Sequence, residues 1–229
     1  MEREPMRPVS ERQQQILEEA VSRYEWDLVG SEAERYLRGR GLADETVAGA
    51  RLGVVKDPAA GHSKYEGMLC IPYLDQTGKP LTIRFRCLRD HDCRQHGHGK
   101  YLTLPGDQPR LYNVRALTGV KPGAAASVSE GELDALVLGQ CGYPAIALAG
   151  ANAWKYHYGQ VMEGFNRLLI WADGDDAGAE MAARIRKALP ATAEIVAVPK
   201  GEDVNSVFLK YGKDGIDGLA RGDGPERRG

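Results

Sequence analysis

Apolar and polar positions alternate on different scales in the two halves of this chain. Ser10 through Gln13 reads as a capping box opening a helix towards Tyr24, and Ser31 through Glu34 repeats the signature before Ala33-Glu34-Arg35-Tyr36-Leu37. Gly39 and Gly41 then break the chain, and a short helix is expected around Asp44 to Ala50. Two strand-like runs follow, Met68 to Leu74 and Leu81 to Leu88, joined by Asp75-Gln76-Thr77-Gly78 as a hairpin. This half therefore reads as a mixed α+β module.

The second half repeats a βα unit. Ala126 to Ser129, Pro144 to Leu148, Leu168 to Trp171 and Glu194 to Val198 read as buried parallel strands, with helices near Glu132 to Gln140, Asn152 to Gly164 and Ala177 to Leu189. Such units imply a parallel sheet covered by helices on both faces. The fold class expected is α/β plus α+β. The boundaries are an N-terminal helical extension over 1–30, an α+β subdomain over 31–121, an α/β domain over 122–215 and a disordered tail over 216–229. Lys121-Pro122-Gly123 marks the junction, short enough that the modules are expected to pack together.

Charge sharpens this division. The chain of 229 residues has a net charge of −2, which argues against a bulk polyanion binder. Lys79 to Lys121 nevertheless carries nine basic against three acidic residues, a net +6, and Pro122 to Ala183 two basic against eight acidic, a net −6. One half is suited to hold phosphates and the other to hold cations. No apolar run approaches the ~20 residues of a membrane helix, and the opening residues lack a signal peptide's apolar stretch, so a cytoplasmic protein is expected. Four scattered cysteines suggest reduced thiols.

Carboxylates follow two of the expected strands. Ser129-Glu130-Gly131-Glu132-Leu133-Asp134 and Trp171-Ala172-Asp173-Gly174-Asp175-Asp176 each place acids between a strand and a helix, where open α/β sheets gather functional groups. Side chains two apart on an extended segment point the same way, so Asp173 and Asp175 with Glu130 outline an oxygen-rich pocket for Mg²⁺ or Mn²⁺. Asp134, a turn beyond Glu130, can join as an outer ligand, and Gly131 and Gly174 would let backbone approach a ligand. The plainer alternative is a solvated turn with Asp176 as helix cap.

On these residues, 126 to about 211 resemble a TOPRIM domain, the metal-binding module of DnaG-type primases, topoisomerases and some nucleases. Glu130 and Asp134 match its first motif, and Asp173 and Asp175 its second. Upstream, Tyr36-Leu37 with Arg40-Gly41-Leu42, Gly67-Met68-Leu69-Cys70-Ile71-Pro72, Gly78, Arg86, Lys100-Tyr101-Leu102 and Leu111-Tyr112-Asn113 resemble, in order, the amino-terminal half of a DnaG-type primase core. The resemblance implies template-directed synthesis of short RNA primers on single-stranded DNA from ribonucleoside triphosphates, with divalent metal. Glu130, Asp173, Asp175 and Lys100 would be catalytic. Arg84, Arg86, Lys100 and Asn113 would contact nucleotide or template. The metal would be held by Glu130, Asp134, Asp173, Asp175 and Asp203. Glu130 could be a ligand or the general base for an attacking 3′-hydroxyl.

The third motif departs from the family. In Pro199-Lys200-Gly201-Glu202-Asp203-Val204-Asn205, Asp203 fits the first acidic position, but Val204 replaces a proline and Asn205 a second aspartate. Asp203 is equally suited to cap a helix. Cys87, His91, Cys93, His96 and His98 form a cluster with no family counterpart; its spacing fits no standard zinc-finger pattern, and a polar hairpin is the favoured reading over Zn²⁺. The family's zinc ribbon and helicase-docking domain have no match in the chain, so a replicative helicase or separate zinc-ribbon protein is an expected partner, as in small bacteriophage primases. A TOPRIM nuclease, or a non-catalytic nucleic-acid-binding replication module, are the competing functions.

Overall fold

The computed structural model describes residues 8–121, 123–150 and 153–225. The readings that involve residues 1–5, Pro122, Asn152 and 226–229 lie outside the described residues. The chain folds as two compact units, one comprising residues up to Arg38 with Val47–Pro109, the other Gly39–Thr46 with Arg110 onward.

The first unit begins with α1 (Glu11–Leu28), opened by the capping box in which the Ser10 hydroxyl accepts the Gln13 N–H and the Gln13 side chain answers the Ser10 backbone. Helix α2 (Glu32–Gly39) follows, and α3 (Asp44–Gly49) returns the chain to this unit at Val47. An antiparallel sheet in the order β1 (Gly53–Val54), β2 (Leu69–Leu74), β3 (Pro80–Arg86), β4 (Tyr101–Thr103) forms the rest. The β2–β3 hairpin turns where Asp75 accepts the Thr77 and Lys79 N–H groups at 2.8 and 3.0 Å. Strands β1 and β4 are too short to print an apolar period, and pairing alone creates them. Tyr65 stacks on Phe85 at 3.8 Å between centroids, beside a Tyr24 hydroxyl 2.8 Å from His62 Nδ1. Each fully buried aromatic contributes about 2 kcal/mol from its apolar area.

The second unit is a parallel sheet in the order β6 (Ala145–Ala147), β5 (Ala125–Ser129), β7 (Arg167–Trp171), β8 (Ala193–Val196). Helices α4 (Glu132–Gln140), α5 (Gly159–Met162), α6 (Asp176–Ala188) and α7 (Val204–Arg221) connect and cover it. The mixed α/β fold with one antiparallel and one parallel sheet agrees with the sequence reading. Fully buried Trp171 donates its indole N–H to Ser127 Oγ at 3.1 Å, so β7 and β5 share a polar tie inside an apolar core.

Residues 39–46 join this unit through Gln140, whose amide donates to Gly41 O at 2.8 Å and accepts the Ala43 N–H at 3.2 Å. Where a helix is expected over 152–164, the described residues include a 3-10 turn over Tyr156–Tyr158 and the four-residue α5, with Gly164 beyond them at φ 99°. Helix α7 runs to Arg221 because Ile216 and Leu219 are buried, with a break at Gly212. Among the described residues, no helix is long and apolar enough to cross a membrane.

Candidate active site

Parallel register puts the acidic turns side by side. Ser129 pairs with Trp171, so the residues that follow leave the same edge of the sheet. There Glu130 Oε1 accepts the Asp173 backbone N–H at 3.1 Å. Asp134 lies in the first turn of α4, 7% exposed, and its Oδ1 accepts the Asn205 N–H at 3.1 Å. Glu130, Asp134, Asp173, Asp175 and Asp203 thus belong to one unit, as the sequence predicts for a shared site.

The electrostatics of this array follow from burial and like charge. Burial, then Asp134, Glu130, Asp203 and Asp175, raise the Asp173 carboxyl to about 8. Asp134 rises to about 7, mainly through burial and Asp203, with Arg40 and the Asn205 amide opposing. Burial also lifts Glu130. Carboxylates crowded beyond what Arg40 offsets favour held protons or a cation.

Two of the acids have a structural duty as well. Asp175, not Asp176, is the N-cap of α6, its side chain accepting the Gly178 N–H at 2.8 Å. Asp203 caps α7 in a capping box with Ser206, accepting its N–H at 2.6 Å, while Oδ2 lies 3.5 Å from Arg40 Nη2. The capping reading of Asp203 from the sequence holds: one oxygen caps, and the other lies beside Arg40.

Gly174 and Gly178 serve the protein's own packing. A Cβ at Gly174 would strike the Pro199 carbonyl, and one at Gly178 would strike the Asp173 carbonyl and Glu130 Oε1. Likewise a Cβ at Gly131 would meet the Asp134 carboxylate, so these glycines admit neighbouring protein atoms, where the sequence reading had them admit ligand.

A cavity of about 260 Å³ opens beside these turns, lined by Arg40, Asp173, Asp175, Glu202, Asp203 and Asn205 among others. Arg40 and Asn205 are the residues the sequence reading undervalued. Asn205 is fully buried; its amide donates to Arg40 O at 2.5 Å, and its Oδ1 has no hydrogen-bond partner among the described residues. That orphaned oxygen, with the raised carboxyls around it, fits a divalent cation. The lost aspartate charge at 205 leaves an oxygen donor in place. The signal for Arg40 was its place in the Tyr36-to-Leu42 pattern.

The basic candidates lie in the first unit. Arg84 stands 4.3 Å over the Tyr101 ring, and Arg86 donates to the Tyr101 hydroxyl while stacking 5.3 Å over Tyr36. Lys100 is exposed, immediately before β4. Asn113 belongs to the second unit, and its amide donates to Ala145 O at 2.9 Å, a tie between a left-handed turn and β6. Cys87, His91, Cys93 and His98 come together, with His96 outside the set.

Residues 127–208 match the Toprim-like family model. The chain is 41% identical over 156 residues to "Gene 57 protein" of Mycobacterium phage D29, covering 66% of this chain and 97% of that protein. It is 23% identical to a DNA primase of Myxococcus xanthus, across 86% of this chain and 38% of the primase. Among solved structures, the DnaG catalytic core superposes with a TM-score of 0.74 at 23% identity, covering 93% of this chain and 80% of that one. The chain belongs to one family with the Mycobacterium phage D29 protein and carries a Toprim-like domain. It spans about two fifths of the length of that bacterial primase. The DnaG primase catalytic domain bound to ssDNA matches with a TM-score of 0.73 at 22% identity, over 91% of this chain and 78% of that one. The Toprim-like family generally works with a divalent metal.

Proposed function

We propose that this protein is a DNA primase catalytic core, which joins ribonucleoside triphosphates into short RNA primers on a single-stranded DNA template. The observation that carries the reading is the set of crowded carboxyls Glu130, Asp134 and Asp173 at one sheet edge, in a chain with the fold of the DnaG catalytic core and a Toprim-like domain. A 3′-hydroxyl oxygen attacks the α-phosphorus of the incoming nucleotide, pyrophosphate leaves, and the hydroxyl proton passes to a base.

In this reading Asp173, Asp175 and Asp203 hold Mg²⁺ or Mn²⁺, with Asp134 and the Asn205 oxygen behind them. The cation, when bound, neutralises charge developing on the phosphate oxygens. Glu130 keeps one oxygen on the Asp173 amide, which fixes the other for the metal or for the hydroxyl proton. Arg40, beside Asp203 in the cavity, is placed to meet a phosphate once a cation draws the carboxylates away from it. Arg84, Arg86 and Lys100 of the basic unit bind template or nucleotide through charge. Asn113 acts by positioning its turn, since its amide is committed to Ala145. A replicative helicase and a zinc-ribbon protein are the partners proposed.

The test is incubation with single-stranded DNA, four ribonucleoside triphosphates and Mg²⁺ or Mn²⁺, with products resolved on a denaturing gel. Short alkali-labile oligomers, absent with Asp173→Ala, are expected. Shortened DNA without RNA would replace this reading with a nuclease, and retained single-strand binding without any product would replace it with a binding module.

A further inference from the structure

We propose that Cys87, His91, Cys93 and His98 form a structural Zn²⁺ site that pins the loop between β3 and β4. One ligand atom from each residue lies within 4.8 Å of all the others. A tetrahedron with zinc–sulfur bonds of ~2.3 Å and zinc–nitrogen bonds of ~2.0 Å has sulfur-to-nitrogen edges of about 3.5 Å. The Cys87 Sγ to His91 Nε2 distance is 3.5 Å. Two thiols and two imidazoles in such an arrangement are the donor set zinc prefers.

The surroundings are those of a closed site. Cys87 and Cys93, 6% and 9% exposed, belong to the core of the first unit, with Leu102 and Leu104 packed against it. His98 Nδ1 lies 3.0 Å from Gly99 O, a contact that puts the ring proton on Nδ1 and leaves Nε2 for a metal. Backbone bonds hold the frame: Cys87 N–H to Lys100 O at 2.9 Å, and His98 N–H to Cys93 O at 3.0 Å. His96 stacks on His91 with centroids 4.3 Å apart but lies outside the set.

A loop of this length without regular structure is uncommon in a compact unit unless something ties it. Four protein ligands leave no open coordination position, which makes the role structural. Binding deprotonates both thiols and releases two protons to solvent. The pattern Cys-x3-His-x-Cys-x4-His was unreadable as a finger because the hairpin, not a helix, brings the donors together.

The protein purified without chelator and under reducing conditions should contain about one zinc per chain by elemental mass spectrometry. Cys93→Ser and His98→Ala should fall to near none, while His96→Ala keeps its zinc. Replacement by Co²⁺ should give the visible absorption of a tetrahedral thiolate–imidazole site. Stripping zinc from the wild-type chain should increase amide exchange over residues 87–103 and leave α4 protected, a readout that needs no variant to fold. Four free thiols with neither zinc nor cobalt uptake would overturn the proposal. So would a Cys87–Cys93 disulfide in the reduced preparation, or zinc retained by Cys93→Ser.

Discussion

Glu130 and Asp173 are joined through a backbone bond: the carboxylate of the first accepts the N–H of the second at 3.1 Å. The strand ends they follow lie in register, so this bond holds the two acidic turns together before any cation arrives. Burial and the neighbouring carboxylates raise both carboxyls, and the Asp173 amide opposes the rise of Glu130.

That strain predicts a pH dependence. Asp173 and Asp134 have folded pKa values of about 8 and about 7, above the ordinary 3.8, so the folded chain keeps protons that the unfolded chain has lost. Their contribution is fully present below about pH 4 and is lost as pH rises towards 8. In metal-free buffer, Asp173→Asn should therefore gain thermal stability over wild type by a growing margin from pH 6 to 8.5. Mg²⁺ should raise the wild-type midpoint by more at pH 8.5 than at pH 6, and should leave Asp173→Asn nearly unmoved. A wild-type chain equally responsive to Mg²⁺ at both pH values would refute the assignment.

Much of this architecture could be read from the chain, and the failures share a cause. Helix α4 and the core of β7 announce themselves because buried elements carry continuous apolar runs, whereas β8, expected as a buried strand over Glu194 to Val198, is an edge strand over Ala193–Val196 with Glu194 and Ile195 exposed. The carboxylates of the site were legible because strand ends place them predictably. Arg40 and Asn205 were not: their value lies in contacts across more than 160 positions of sequence, which no local period encodes. The Cys and His cluster was visible as a composition, but its geometry required β4, a three-residue strand made only by pairing.

Asp203 separates stability from charge. As N-cap of α7 it accepts the Ser206 N–H, so Asp203→Ala should cost about 1 kcal/mol. Asp203→Asn keeps a capping oxygen and should be near neutral in stability. Both should weaken Mg²⁺-dependent primer synthesis, about tenfold or more if Asp203 holds metal. Denaturant melts and gel assays on the pair check this; full activity in Asp203→Asn would confine Asp203 to its capping duty.

Gly178→Ala tests the packing of the acidic turns. The added methyl meets Glu130 Oε1 at 2.6 Å and the Asp173 amide nitrogen at 2.9 Å, so stability should fall by about 1–3 kcal/mol. The Mg²⁺ response should weaken with it, because the methyl pries Glu130 from Asp173. Gly139→Ala is the comparison: it lies in α4 with nothing within 4 Å of the new methyl, and should gain up to ~1 kcal/mol in helix propensity.

Arg86 carries the prediction for the basic unit. Its guanidinium donates to the Tyr101 hydroxyl, lies 5.1 Å over that ring and 5.3 Å over Tyr36, so two aromatic faces fix a planar cation on β3. Lysine keeps the charge but cannot reproduce the fork or the stacking. If Arg86 meets a phosphate, Arg86→Ala should weaken binding of fluorescent single-stranded DNA and reduce the slope of log affinity against log salt by about 1. Arg86→Lys should restore the slope but only part of the affinity. Tyr101→Phe should keep the slope and loosen the guanidinium, giving a smaller loss. A salt slope unchanged in Arg86→Ala would show that the arginine serves the aromatic packing of this sheet and not the template.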